Sequence, residues 1–242
     1  MSAVRALIVS DIHSNLEACQ AVLEDCQRRG GFDEVWCLGD VVGYGADPEA
    51  CLDLLHGHAV TAVAGNHDHG VLGKVDLRHF NEEAAAAGLW TARRLSPQYL
   101  ERLARLPETI MREPFTLVHG SLRAPVWEYL LSRETALATF RLLTTPYCLV
   151  GHSHVPFVCR EAERGCAFEP FPENKPLALG PERLIINPGS VGQPRDGDPR
   201  ASYALYDSEG STITHYRVEY DIAATQEKIR LAGLPRWLAE RL

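Results

Sequence analysis

Five times along this 242-residue chain, a short apolar run ends in a small cluster of aspartate, asparagine, histidine and glycine. Ala6-Leu7-Ile8-Val9 leads to Asp11-x-His13, Glu34-Val35-Trp36-Cys37-Leu38 to Gly39-Asp40, and the stretch 59–64 to Gly65-Asn66-His67-Asp68. Phe115-Thr116-Leu117-Val118 leads to His119-Gly120, and Tyr147-Cys148-Leu149-Val150 to Gly151-His152-Ser153-His154. Apolar runs of this length read as buried strands, and helical patterns between them make the architecture α/β. One sheet would then bring all five clusters to its carboxyl edge, where open α/β sheets bind ligands.

The connecting segments support that reading. Ser14-x-x-Glu17 has the form of a capping box before a helix carrying Leu16, Cys19, Val22, Leu23 and Cys26, which Gly30-Gly31 stops. Asp47 before Pro48 reads as the N-cap of a second helix. Residues 71–114 interrupt the alternation with two successive helices, from Asn81 to Leu95 and from Ser96-Pro97 onward. This helical insertion reads either as a cap near the site or as a packing excursion. After residue 154 come short strands around 157–159, 184–186, 203–206 and 212–218, an antiparallel stretch. The segment from Pro170 to Pro181 reads as a surface loop, and helices over 222–231 and 234–242 close a single domain spanning 1–242.

Taken together, the clusters supply Asp11, His13, Asp40, Asn66, His119, His152 and His154: two carboxylates, one amide and four imidazoles. That is too many donors for one tetrahedral ion and suits two ions sharing a bridging carboxylate. Oxygen and nitrogen donors without thiolate favour manganese, iron or zinc. Two such ions about 3.5–4 Å apart can activate a bridging water and clamp the oxygens of an in-line displacement at phosphorus. His56, His58, His79 and His215 lack this context and read as solvated, whereas His69 lies close enough to His67 to line the cleft.

A formal charge of −8 argues against a long nucleic-acid partner, for which a basic footprint is expected. It leaves room for a small anionic substrate, because bound cations reverse the local sign. Seven cysteines without a CxxC pair read as reduced packing residues of a cytoplasmic protein. The sequence opens on a strand rather than a signal segment, and no apolar run reaches the roughly 20 residues of a membrane span.

In order and spacing, the five clusters resemble the calcineurin-like metallophosphoesterases. Asn187-Pro188-Gly189-Ser190-Val191-Gly192-Gln193-Pro194-Arg195 resembles their small bacterial and archaeal phosphodiesterase branch. The resemblance implies a four-layer αββα sandwich holding two divalent ions, manganese first, with iron, zinc, nickel and cobalt as alternatives. It implies that Asp11, His13 and His154 bind one ion, that Asn66, His119 and His152 bind the other, and that Asp40 bridges them. His67 would then be catalytic, protonating the leaving oxygen or stabilising the transferring group. Many members carry an Asp three residues past the bridging Asp as partner to this His. Here that position is Gly43, and Asp68 is a possible substitute.

The implied activity is hydrolysis of a small phosphate-ester or nucleotide-like substrate by a metal-bridging hydroxide, with phosphodiesters first. In the serine/threonine phosphatase branch and related dinucleoside tetraphosphate hydrolases an arginine lies four residues past the bridging Asp. Tyr44 stands there in this chain, and Arg195 could reach in to replace it. Phosphomonoesterase and dinucleoside polyphosphate hydrolase activities are the alternatives. A retromer subunit of the same fold with a degraded site raises a protein-assembly scaffold. The complete set of seven coordinating side chains argues against that scaffold. The sequence leaves oligomeric state open.

Overall fold

Along β1 (Arg5–Val9) the side chains divide: Ala6 and Ile8 enter one apolar layer, Leu7 and Val9 another. That two-residue period is what a strand buried on both faces produces. The same division marks the other central strands and makes the protein a stack of layers.

The structure, a computed structural model, describes residues 3–242. After β1 come α1 (Leu16–Arg28), β2 (Glu34–Cys37), α2 (Pro48–His56), β3 (Val60–Ala62) and α3 (Asn66–Val71). A short 3-10 turn at Leu77–His79 precedes α4 (Glu82–Arg94), α5 (Pro97–Ala104), β4 (Thr109–Arg112), β5 (Phe115–Val118), α6 (Arg133–Leu142) and β6 (Tyr147–Leu149). Then follow β7 (Phe157–Ala162), β8 (Gly165–Pro170), β9 (Pro176–Ala178), β10 (Leu184–Asn187), β11 (Ala201–Asp207) and β12 (Thr212–Val218). The chain ends in α7 (Ile222–Leu231) and α8 (Arg236–Glu240).

The strands form two six-stranded sheets rather than one, ordered β3-β2-β1-β11-β12-β9 and β4-β5-β6-β10-β7-β8. Ile8, Trp36 and Leu38 of the first sheet meet Phe115, Leu117, Leu149 and Ile186 of the second in the layer between them. Outside the first sheet, α1, α2 and α5 cover Leu7, Val9, Val35 and Cys37. Outside the second, α6 packs Ala136 and Phe140 on Cys148, Cys159 and Ile185. This is the αββα sandwich. The single-sheet expectation fails because parallel runs β1-β2-β3 and β5-β6 are built separately and meet face to face, not edge to edge.

Several local expectations are corrected. Asn15, not Ser14, caps α1, accepting from Ala18 N at 3.1 Å. Glu17 instead reaches Thr225 and Lys228, tying α1 to α7. Asp47 makes no side-chain cap bond, because its carboxylate meets Lys228 at 2.8 Å. β3 is an edge strand with Val60 exposed, so it is not buried. β4 falls inside 71–114, and β9 falls inside the segment from Pro170 to Pro181 that reads as a loop, with β8 ending at its start; pairing with neighbours overrides weak local propensity. His215 is buried, not solvated, held between Ser202 Oγ at 2.8 Å and Phe171 O at 3.0 Å. No helix among the described residues is long and apolar enough to cross a membrane.

Candidate metal centre

The carboxyl ends of β1, β2, β3, β5 and β6 deliver all seven candidate ligands to one place, and all are buried. Asp11 and His13 follow β1, Asp40 follows β2, and Asn66 opens α3. His119 follows β5, and His152 and His154 follow β6. Five of the seven have left-handed backbone: Asp11, His13, Asp40, His152 and His154, with φ between 51° and 64°. Such conformations cost a non-glycine residue about 1–3 kcal/mol and persist only where surrounding structure enforces them. Here Asp11 N donates to Gly39 O, His13 N to Asp40 O, and Gly151 N to His119 O, at 2.8–3.1 Å. Gly65 admits no side chain, since a Cβ there would fall 2.0 Å from Asp40 Oδ1.

The histidine tautomers follow from their outer contacts. His13 Nδ1 lies 3.2 Å from Val42 O, His154 Nδ1 2.6 Å from Gln193 O, and His119 Nδ1 2.8 Å from Leu38 O. A carbonyl only accepts, so in each ring Nδ1 carries the proton and Nε2 presents a lone pair inward. His152 is reversed, with Nε2 donating to Trp127 O at 3.1 Å and Nδ1 turned inward.

The inward atoms form two groups. In one, His13 Nε2 and His154 Nε2 lie 3.2 Å apart, with Asp11 Oδ1 3.3 Å from the latter. Asp11 Oδ2 accepts from Ser10 Oγ and His152 N, while its buried Oδ1 has no hydrogen-bond partner. In the other, His119 Nε2 lies 3.1 Å from both Asn66 Oδ1 and His152 Nδ1. Asp40 Oδ2 stands between the groups, 3.7 Å from His13 Nε2 and 3.3 Å from His119 Nε2, while Oδ1 accepts from His67 N. Lone pairs facing one another in a buried space repel unless a cation sits among them. The residues present therefore fit metal ions.

The protonation tendencies express the same crowding. Burial pushes His152 down to about 3 and His13 and His154 well below the usual histidine range. Burial also pushes Asp11 up to about 7. For Asp40, burial is outweighed by the facing imidazoles, His119 foremost, and its carboxyl falls well below the ordinary value. His119 rises to about 9, because the Asp40 charge overcomes its burial. A proton on His119 Nε2 and a metal ion there are alternatives, each supplying positive charge to Asp40.

His67 sits beside these groups, its ring 4.8 Å from His13, 4.5 Å from Tyr44 and 5.0 Å from Phe80. Burial lowers it to about 4. Its ring atoms also fall within 4.8 Å of donor atoms of His13 and Asp40, so geometry alone allows a third cation-binding trio. Gly43 is the residue that makes room, since a Cβ there would meet His67 Nδ1 at 2.7 Å. Asp68 does not replace the missing acid partner. Its two oxygens accept from the backbone N–H groups of Asp40, Val42 and Gly65 at 2.9–3.2 Å. His69 is buried but turned toward Glu108, with 3.9 Å between Nδ1 and the carboxylate.

Arg195 does reach the site. Its Nη2 lies 3.3 Å from Tyr44 Oη and 3.1 Å from Gln193 Oε1, and its buried Nε has no partner. Sequence reasoning missed the backbone clamp of Asp68. It also missed the aromatic contacts of Trp127 and Tyr129, which no strand-end pattern signals; Phe80, a candidate for the site-facing side of the 71–114 insertion, does meet His67.

The model of the calcineurin-like phosphoesterase superfamily domain matches residues 4–211. An uncharacterised protein of Methanocaldococcus jannaschii is 43% identical over 240 residues, 97% of this chain and 96% of that protein. A crystal structure of a metallophosphoesterase from Sphaerobacter thermophilus superposes with a TM-score of 0.90 at 43% identity, covering 100% of this chain and 98% of that one. A symmetrical bis(5′-nucleosyl)-tetraphosphatase of Glaesserella parasuis is 30% identical over 125 residues, 50% of this chain and 46% of that protein.

Proposed function

The chain belongs to the calcineurin-like phosphoesterase superfamily and is a phosphoric ester hydrolase; from that premise we propose that it is a dinuclear, metal-dependent phosphodiesterase. The observation that carries the dinuclear reading is the pair of inward-facing donor groups with Asp40 Oδ2 between them. Asp11, His13 and His154 would hold one ion and Asn66, His119 and His152 the other, with Asp40 serving both. When bound, two divalent ions, manganese first, polarise the phosphoryl oxygens and activate water for attack at phosphorus.

The remaining work falls to the chain's own groups. His67 offers its ring N–H to the phosphoryl or leaving oxygen, and the edge of Phe80 fixes its plane. Asp68 holds the Gly39–Val42 loop so that Asp40 stays in register. Tyr44 supplies a neutral hydroxyl where the serine/threonine phosphatase branch has a guanidinium, and it holds the Arg195 guanidinium at 3.3 Å; a singly charged diester needs no second cation there. The seven buried free thiols support a reducing, cytoplasmic setting. Through Phe80, segment 71–114 acts as a cap on a single-domain enzyme.

A second reading, hydrolysis of dinucleoside polyphosphates, is favoured by one feature. The Arg195 guanidinium lies 5.9 Å over the Tyr44 ring and its buried Nε has no hydrogen-bond partner. An additional phosphate would supply one. The deciding experiment removes all metal, reloads with manganese and measures stoichiometry beside hydrolysis of bis-p-nitrophenyl phosphate. Two ions per chain with metal-dependent turnover is the expected result; one ion, or none, defeats the dinuclear assignment.

A further inference from the structure

The metal centre accounts for the phosphorus of a substrate but assigns nothing to its organic part. Segment 121–131, between β5 and α6, has no regular secondary structure, yet it is tied down internally. Gly120 N donates to Pro125 O, Ser121 Oγ and Arg123 both bind the Glu128 carboxylate, and Trp127 O receives His152 Nε2. This fixed segment sets two aromatic side chains at the rim of the centre. The Tyr129 ring lies flat on the His152 ring, with 3.9 Å between centroids and 14° between planes, while the residue remains 46% exposed. Trp127, 39% exposed, meets Phe80 edge-on at 5.1 Å, and Phe80 meets His67 at 5.0 Å. Neither Trp127 nor Tyr129 contributes to the apolar cores between or outside the sheets. Two large rings held at fixed positions and exposed beside a buried polar site form an apolar rim that a ligand can cover.

Resting on the phosphoesterase reading, we propose that Trp127 and Tyr129 form a stacking surface for a nucleobase, so that the substrates are mononucleotide- or dinucleotide-type phosphoesters. His152 fixes the distance. Tyr129 stacks on the ring of that candidate ligand at 3.9 Å, so a group one sugar away from the phosphorus is within reach of the exposed aromatics. Stacking needs only a flat π-face and tolerates any base. A flat aromatic group carried one sugar away from the phosphorus is the arrangement of a nucleotide, and the −8 charge disfavours a long polynucleotide.

The test titrates manganese-loaded protein calorimetrically with AMP and with ribose 5-phosphate, which keeps sugar and phosphate but lacks the base. Wild type should bind AMP at least about tenfold more tightly, the effect of one stacked base. In Trp127→Ala and Tyr129→Ala the ratio of the two affinities should fall toward one, whereas Tyr129→Phe, which keeps the ring, should retain it. AMP should also quench the component of tryptophan fluorescence that vanishes in Trp127→Phe. Equal affinities in wild type overturn the proposal. So does an unchanged ratio in both alanine variants, the pattern expected if these residues only hold His152 and both ligands weaken alike. The phosphoesterase reading fails separately, by absence of metal-dependent bis-p-nitrophenyl phosphate turnover, whatever the ratio.

Discussion

His13 Nε2 and His154 Nε2 face each other at 3.2 Å, and neither carries a proton to make that contact a hydrogen bond. Each ring has committed its Nδ1–H to a backbone carbonyl, Val42 O and Gln193 O respectively. The unpartnered Asp11 Oδ1 completes the group. Removing cations from such an arrangement leaves repulsion that only structural relaxation can relieve.

Divalent metal should therefore stabilise the fold and support activity together. A saturating ion at about 100 times its Kd contributes about 2.7 kcal/mol, readable as a rise in Tm on adding manganese to chelator-stripped protein. Asp40→Ala should lose both ions and turnover, since one carboxylate serves both groups. An Asp40→Ala protein that is metal-free yet active would sink the assignment.

His67→Ala should keep its metal content and lose about 10²–10⁴-fold in kcat, the usual worth of a positioned proton-transfer group. Metal analysis beside kinetics decides the matter. If His67→Ala empties the centre, the trio of His13, Asp40 and His67 is the true coordination set.

Asp68→Asn should behave as a positioning defect rather than a chemical one. An amide cannot accept three backbone N–H bonds with two oxygens, so one donor is left unsatisfied at a cost of about 1–3 kcal/mol. Denaturant midpoint and metal affinity should both drop, with residual kcat per bound metal preserved. Unchanged stability would show that the loop is held by other contacts.

Arg195→Ala separates diester from monoester chemistry. Wild type should show a higher kcat/KM for bis-p-nitrophenyl phosphate than for p-nitrophenyl phosphate, and the substitution should widen that gap. A guanidinium favours dianions more than monoanions. A wild-type preference for the monoester that disappears in Arg195→Ala would reverse the reading of Tyr44.

His215 gives a pH dependence away from the metals. Burial first, then the Arg217 charge, lowers it to about 4, whereas an unfolded histidine titrates near 6.5. Between those values the unfolded chain binds the extra proton, so stability falls as pH drops through 6.5 and levels off near 4. Going from pH 7.5 to 5 should cost wild type about 2 kcal/mol more than His215→Asn, by urea unfolding of metal-free protein. Equal losses in both would mean that His215 is charged in the fold.

The positions of the five clusters are legible because a strand that enters a core must release its polar residues at its end. The helices of 71–114 are legible from Asn81 and Ser96-Pro97, yet their role is not. Leu72 packs with the core under α1, Trp90 with α7 and α8, and only Phe80 meets the centre. Strand partners are hidden as well. Nothing in Gly165–Pro170 or Pro176–Ala178 announces pairing with β7 or β12, since those contacts are decided by distant segments. His215 reads as solvated because its burial depends on Phe171 and Ser202, which the fold brings near and the local sequence does not.

Each donor group draws on both sheets. Asp11 and His13 come from the first and His154 from the second; Asn66 comes from the first and His119 and His152 from the second. Neither sheet alone can assemble a complete group, so tight metal uptake must wait until the two have docked. In stopped-flow refolding with a colorimetric chelator competing for manganese, the chelator should lose metal only in the phase that buries Trp36 against Phe115. The centre would then serve as a built-in clock, marking the moment when the two sheets become one protein.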